Sequence, residues 1–279
     1  MSDGRGYRPP PLVAGSLALH AAGALALAAA PRHWRIVAGA LMADHLVLAA
    51  ASLWPRSTWV GANLSALPAA AARRGEVALT FDDGPDPDVT PRVLDLLDRH
   101  GSRATFFCIG ERVRTHPEIA AEIARRGHRV ENHTQTHPHL FACYPAPALR
   151  REVEGAQEAI ARAAGRAPRL FRAPAGLRNP LLDRVLCRAG LRLVSWTRRG
   201  FDALEKDPDR IARRLLAGLA AGDVLLLHDG STIPQRGAPR GNNRGGNPVV
   251  LEVLPRLLDE LAARKLRSVP IPDTLEASA

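Results

Sequence analysis

Val77-Ala78-Leu79-Thr80-Phe81-Asp82-Asp83-Gly84-Pro85 is an apolar run that ends on two adjacent carboxylates and a Gly-Pro turn. Successive strand residues point to opposite faces, so Asp82 and Asp83 diverge unless the strand ends there. At the C-terminal edge of a strand the backbone turns, and both side chains can line one cleft. Two like charges so close raise one pKa unless a cation or an arginine compensates. Asp-Gly and Gly-Pro are also ordinary turn punctuation, so the stretch needs support from the rest of the chain.

That support begins at Gly75, where short apolar runs start to alternate with helical patterns. The runs predict strands over Val77–Phe81, Ala104–Ile109, His128–Glu131, Leu170–Ala173, Leu191–Trp196, Asp223–Leu227 and Arg267–Ile271. Between them the periodicity predicts helices over Thr90–Arg99, Pro117–Arg126, Ala148–Ala163, Pro180–Ala189, Pro208–Ala220 and Val250–Ala263. Thr90-Pro91 and Asp207-Pro208 each read as a cap followed by a first-turn proline. Strands alternating with helices predict an α/β fold with a parallel sheet, either a barrel or doubly wound. In both, the active site sits at the C-terminal strand ends.

The 279 residues carry a net charge of +10, with Lys206 and Lys265 the only lysines. Such a surface favours anionic partners. No basic run is interleaved with aromatics, which are only 4% of residues, so no nucleic-acid partner is expected. Cys108, Cys143 and Cys187 are widely spaced with no CxxC, so neither a zinc knuckle nor a disulfide framework is indicated.

Upstream, residues 11–30 and 36–54 are two apolar runs, each long enough to cross a bilayer as a helix. Asp44 and His45 interrupt the second, and a mid-helix charge costs roughly 2.5–3.5 kcal/mol on insertion. Residues 1–54 are read as a membrane hairpin. A signal peptide ending at Ala28-Ala29-Ala30 and a soluble helical pair are the alternatives. Arg32 and Arg35 in the intervening turn favour a cytoplasmic turn, while Arg5 and Arg8 favour the opposite orientation. Residues 55–74 read as a linker. Residues 229–248 form a long polar stretch whose Arg236, Arg240 and Arg244 could attract an anion.

Three further segments fall at predicted strand ends. His133 and His137, four apart, have the spacing that puts two imidazoles on one face of a helical turn. With a carboxylate from another strand they make a three-ligand metal site with open positions. His139 reads as a bystander or as a support to the ligands rather than as a ligand itself. Arg172, in Phe171-Arg172-Ala173-Pro174-Ala175-Gly176, is placed to hold one aspartate ionised, and the turn can aim a backbone N–H at an oxyanion. His228 ends the apolar Leu225-Leu226-Leu227 and is a general-acid candidate.

Together these segments resemble the polysaccharide deacetylase family, the NodB-type carbohydrate esterase family four. Its marks are TFDDGP, H-[ST]-x-x-H, R-x-P-x-G and a final L-x-H, here Thr80–Pro85, His133–His137, Arg172–Gly176 and Leu226–His228. The resemblance covers residues 75–272, leaving 273–279 as a tail. It implies a distorted (β/α) barrel of seven to eight parallel strands, here preceded by the N-terminal pair of apolar helices. It also implies a divalent metal, most often zinc, with cobalt or manganese as alternatives. Asp83, His133 and His137 would hold that metal, Asp82 would be the general base oriented by Arg172, and His228 the general acid. Pro174 and Ala175 would form the oxyanion turn, and Leu226 would line the acetyl pocket.

The chain departs from the family at two places. Ala175 stands where an aromatic residue is common. In the D-x-x-D-W segment the first Asp is Arg199, the second is Asp202 and the Trp is Ala203. The resemblance puts the first Asp on the catalytic histidine, so either Asp202 substitutes or His228 lacks its usual tuning. Arg198 and Arg199 could engage an acidic substituent on the substrate.

The expected activity is removal of N-acetyl groups from an amino-sugar polysaccharide or lipid-linked glycan. The alternatives are an O-acetyl esterase or deformylase on a related sugar and a non-catalytic, metal-containing glycan-binding protein. The expected location is a bacterial inner membrane, held through residues 11–54, with the catalytic domain outside the cytoplasm.

Overall fold

The structure, a computed structural model, describes residues 7–231 and 246–276. Helix α1 (Pro11–Ala29) and helix α2 (Trp34–Leu53) are joined by a 3-10 turn at Pro31–His33. Both are long and apolar enough to span a membrane, with mean hydropathy 1.8 and only 11% of each span buried. Asp44 is not bare: the Ser16 hydroxyl donates to it at 2.6 Å, and the His20 and His45 rings meet edge to face at 5.2 Å.

The remaining chain runs α3 (Ala69–Arg73), β1 (Glu76–Asp82), α4 (Thr90–Arg99), β2 (Ala104–Cys108), α5 (Gly110–Thr115), α6 (Pro117–Arg125) and β3 (Arg129–Asn132). It continues α7 (Ala146–Ala164), β4 (Leu170–Phe171), α8 (Leu182–Arg188), β5 (Arg192–Leu193), β6 (Arg198–Arg199) and α9 (Pro208–Leu216). It ends β7 (Val224–His228), α10 (Val250–Ala263), β8 (Arg267–Ser268) and α11 (Ile271–Glu276). All strand pairs are parallel, in the order β5-β4-β3-β2-β1-β7-β6, with β8 also on β1. The sheet curls into a half-barrel, and its end strands β5 and β6 are not paired with each other among the described residues.

Strand alternation divides the core into two layers. Val77, Leu79 and Phe81 of β1, with Leu225 and Leu227 of β7, pack outward against Val253, Leu257 and other helical residues. Ala78, Phe107, Val224, Leu226 and Trp196 fill the concave side. Leu79 is fully buried, and a leucine-to-alanine change at such a position costs about 2–5 kcal/mol. The same alternation carries Thr80, Asp82, Leu226 and His228 to the concave side, with Asp82 in register with His228.

Several expectations need correcting. Residues 55–74 are packed rather than a free linker. Leu64 pairs with Val194, Leu67 and Ala71 are buried, and α3 lies in this segment. The expected tail starts inside α11, whose Ile271 and Thr274 are buried. Thr90 does not cap α4. Its hydroxyl donates to Asp229 at 2.5 Å, whereas Asp207 does cap α9 by accepting from the N–H groups of Asp209 and Arg210. Strand β6 was not anticipated, because two arginines carry no strand signal. Arg236, Arg240 and Arg244 lie outside the described residues.

Candidate active site

The two aspartates share one cleft because the backbone turns between them. Asp82 is the last residue of β1, and Asp83 takes a positive φ of 70°, which breaks the alternation. Thr134, His137, Ala175 and Phe201 also have positive φ, and all belong to loops around the same cleft. Non-glycine residues in this region cost of order 1–3 kcal/mol each and cluster at functional sites. Lys265, behind α10, is the one other case among the described residues.

His133 follows β3 directly. Its Nδ1 lies 2.8 Å from the Arg172 carbonyl oxygen, which fixes the Nδ1–H tautomer and leaves Nε2 free to coordinate. Nε2 of His133 and Nε2 of His137 each lie 3.3 Å from Asp83 Oδ1. The donor atoms of all three residues fall within 4.8 Å of one another. The two histidines are not on a helical turn, as their spacing suggested. The stretch between them is a loop pinned by Asn132, which accepts from the Thr134 N–H, and by Glu152, which accepts from Thr136. His139 also lines the cleft, its ring 6.3 Å from that of His137.

Charge in the cleft is arranged to suit a cation. Burial acts to raise the Asp83 carboxyl. The hydrogen bond from His133 and the charges of His137, His228 and His133 outweigh it and hold Asp83 well below the usual carboxylate range. Burial pushes His137 down to about 4 despite Asp83, so the ring is neutral at physiological pH. Two imidazoles and one carboxylate with convergent donor atoms are a fitting set for a divalent metal.

Arg172 is fully buried, from the end of β4. It donates to Asp82 Oδ1 at 2.6 Å, to the Thr80 hydroxyl at 2.8 Å and to the Ser195 carbonyl at 3.0 Å. Its guanidinium carbon stacks 4.1 Å from the Phe107 ring centroid. Burial lowers its pKa and Asp82 opposes that, and an arginine keeps its proton in such a setting. The like-charge problem at Asp82–Asp83 is thus divided. One carboxylate faces a guanidinium and the other a pair of imidazoles.

His228 ends β7, and its Nδ1 lies 3.0 Å from Asp202 Oδ1. The family's second Asp therefore makes this pair, and Arg199 in place of the first leaves it intact. Asp202 also accepts from the His228 backbone N–H at 2.8 Å, and the Asn247 side chain donates to Asp202 and to the His228 carbonyl. Burial acts to lower His228, but the Asp202 charge and hydrogen bond, with Asp83 and Asp82 behind, raise it to about 9. Asn247 escaped sequence reading because it lies in no motif.

Ala175, Gly176, Trp196, Arg199, Ala203, Leu204 and Leu226 complete a cleft of about 190 Å³. Pro174 is buried at its edge. Gly176 has φ 73°, and a Cβ there would collide with Trp196 and with Pro55, which follows α2 by two residues. Arg198, expected beside Arg199, is held away from this cleft by the Asp223 carboxylate and the carbonyls of Ala217 and Gly218.

A parallel half-barrel with convergent Asp/His/His donors and a separate buried His228–Asp202 pair is the arrangement of a metal-dependent hydrolase. The family model described as polysaccharide deacetylase matches residues 69–194. A chitooligosaccharide deacetylase of Bradyrhizobium sp. (strain ANU 289) is 44% identical over 155 residues, 55% of this chain and 70% of the relative. A peptidoglycan-N-acetylglucosamine deacetylase of Bacillus cereus is 33% identical over 207 residues, 74% of this chain and 70% of the relative. Among solved structures, a peptidoglycan N-acetylglucosamine deacetylase in complex with 4-naphthalen-1-yl-N-oxidanyl-benzamide superposes with a TM-score of 0.65. It is 31% identical and covers 76% of this chain and 92% of its own. The chain belongs to the polysaccharide deacetylase family, which implies a divalent metal.

Proposed function

We propose that this protein removes N-acetyl groups from an amino-sugar glycan at a membrane surface, and that Asp83, His133 and His137 hold zinc. The observation that carries the reading is the division of labour at the Asp82–Asp83 pair, set opposite the buried His228–Asp202 pair. A metal bound by the triad supplies Lewis-acid polarisation of a carbonyl and lowers the pKa of water. Asp82, ion-paired with Arg172 at 2.6 Å, accepts a proton from the attacking water. Protonated His228, beside Asp82 on the neighbouring strand β7, donates to the amine nitrogen as it leaves. The backbone N–H of Ala175, in the turn after Pro174, is assigned to the developing oxyanion, and Leu226 forms the wall against the acetyl methyl. General acid and base groups of this kind each contribute about 10²–10⁴-fold.

The membrane part of the reading rests on how the hairpin meets the barrel. Tyr7, ahead of α1, hydrogen-bonds Asp183 of α8. At the other end, the Arg178 N–H donates to the Ser52 carbonyl at 3.4 Å and its guanidinium to the Ser57 carbonyl, while Pro55 abuts Gly176. The hairpin is thus tied to the barrel at both ends, with the end of α2 beside the cleft at Gly176, and a bilayer around α1 and α2 brings the cleft near its surface. Exposed Trp54 and Trp59 suit the interfacial layer. Arg32 in the turn and Arg35 at the start of α2 favour a cytoplasmic turn and a barrel outside.

The test uses the full-length protein in detergent, stripped with a chelator, with zinc, cobalt or manganese added back. Acetate release from N-acetylglucosamine oligomers is expected only after metal is restored. A protein that binds metal yet releases acetate from no acetylated amino sugar would overturn the reading.

A further inference from the structure

Arg199 is the cleft cation that the reaction does not use. It sits in register with Leu226 on β7, the residue assigned to the acetyl methyl, and it lines the same cleft. Two rings hold it: its guanidinium carbon is 5.4 Å from the Trp196 centroid and 4.6 Å from that of Phe201. Phe201 has a positive φ of 62°, so the backbone takes up strain to put that ring there. Its Nε is buried and has no hydrogen-bond partner among the described residues.

Each neighbouring arginine has a carboxylate partner. Arg172 is taken by Asp82, Arg198 by Asp223, and Arg214 lies 3.5 Å from Glu205. The anions whose charges Arg199 feels, Asp202 and Asp82, are already committed to His228 and Arg172. A half-buried guanidinium without its own anion is costly to keep, and a neutral sugar would leave it so. Its planar fork matches a carboxylate or a phosphate, and stacking on two rings preorganises it for that.

We infer that Arg199 is an anion-recognition element of the cleft, and that the preferred amino-sugar substrate carries a carboxylate or a phosphate close to its acetamido group. This rests on the deacetylase reading above. The wild-type protein, Arg199→Gln and Arg199→Lys are compared on three soluble substrates. These are a neutral N-acetylglucosamine oligomer, the same oligomer bearing lactyl-ether carboxylates, and a phosphate ester of N-acetylglucosamine.

The quantity read is kcat/KM on each anionic substrate divided by that on the neutral one. Arg199→Gln is expected to lower that ratio tenfold or more, chiefly through KM, and Arg199→Lys to restore part of it. The anionic substrate that responds identifies the group as carboxylate or phosphate. A ratio unchanged within twofold for both, in a protein that still turns over the neutral oligomer, would overturn the inference and leave the deacetylase reading standing. A wild-type protein that releases acetate from none of the three would remove both.

Discussion

Two Asp/His/His groups exist among the described residues, Asp83–His133–His137 in the cleft and His20–Asp44–His45 in the hairpin. Their donor types are identical, and their surroundings are not. In the cleft the ligands come from two strand ends and a pinned loop, and the Arg172 carbonyl fixes the His133 tautomer. In the hairpin His20 and His45 are exposed, the Asp44 carboxylate already accepts from Ser16, and each imidazole is bonded to its own helix at the i−4 carbonyl. The first group is preorganised around a shared point. The second satisfies a polar intrusion in an apolar helix pair. Ligand identity alone does not make a metal centre; supporting contacts do.

The largest expected effect that sharpens this contrast concerns His228. Replacing it with alanine is expected to cut turnover by about 10²–10⁴-fold. Asp202→Asn tests the cause of its basicity. The folded His228 pKa of about 9 lies above the ordinary value of 6.5. The acid is therefore protonated below 6.5, and activity is lost as pH rises through the folded value. A bound dication opposes the share due to Asp83 and Asp82, so the falling limb lies at or below about 9. Asp202→Asn should move that limb to lower pH, and a limb that stays put would show that Asp202 does not tune the acid.

A smaller effect is expected where the hairpin joins the barrel. Arg178 is buried and donates to the Ser57 carbonyl. Arg178→Ala removes one of two donors to that carbonyl, Asn63 being the other, and is expected to cost about 0.5–1.5 kcal/mol, read as a lowered denaturation midpoint in detergent. If the hairpin hung from a loose tether instead, the midpoint would not move.

Much of this was legible from residue order. The four motif segments fall at strand ends because β1, β3, β4 and β7 end there, and helices α4 and α10 match their periodicity to the residue. Less visible was anything decided by a loop. The positive φ at Asp83 and at His137 brings the ligands together, and neither residue type announces it. The pairing of His228 with Asp202 rather than with position 199 depends on where the chain passes after β6. Asn247, which holds that pair, has no local pattern at all. In the hairpin, hydropathy located both helices, while the contacts of Ser16 with Asp44 and of Arg178 with Ser57 are tertiary and carry no signature.

The most direct test is metal content and acetate release measured together in full-length Asp82→Asn and Asp83→Asn. The wild-type protein should hold one metal per chain. Asp82→Asn should keep that metal while turnover falls by about 10²–10⁴-fold, and Asp83→Asn should lose the metal. Turnover near wild type in Asp82→Asn would contradict the assignment of the base. A full equivalent retained in Asp83→Asn would move the metal out of the cleft, to the group in the hairpin.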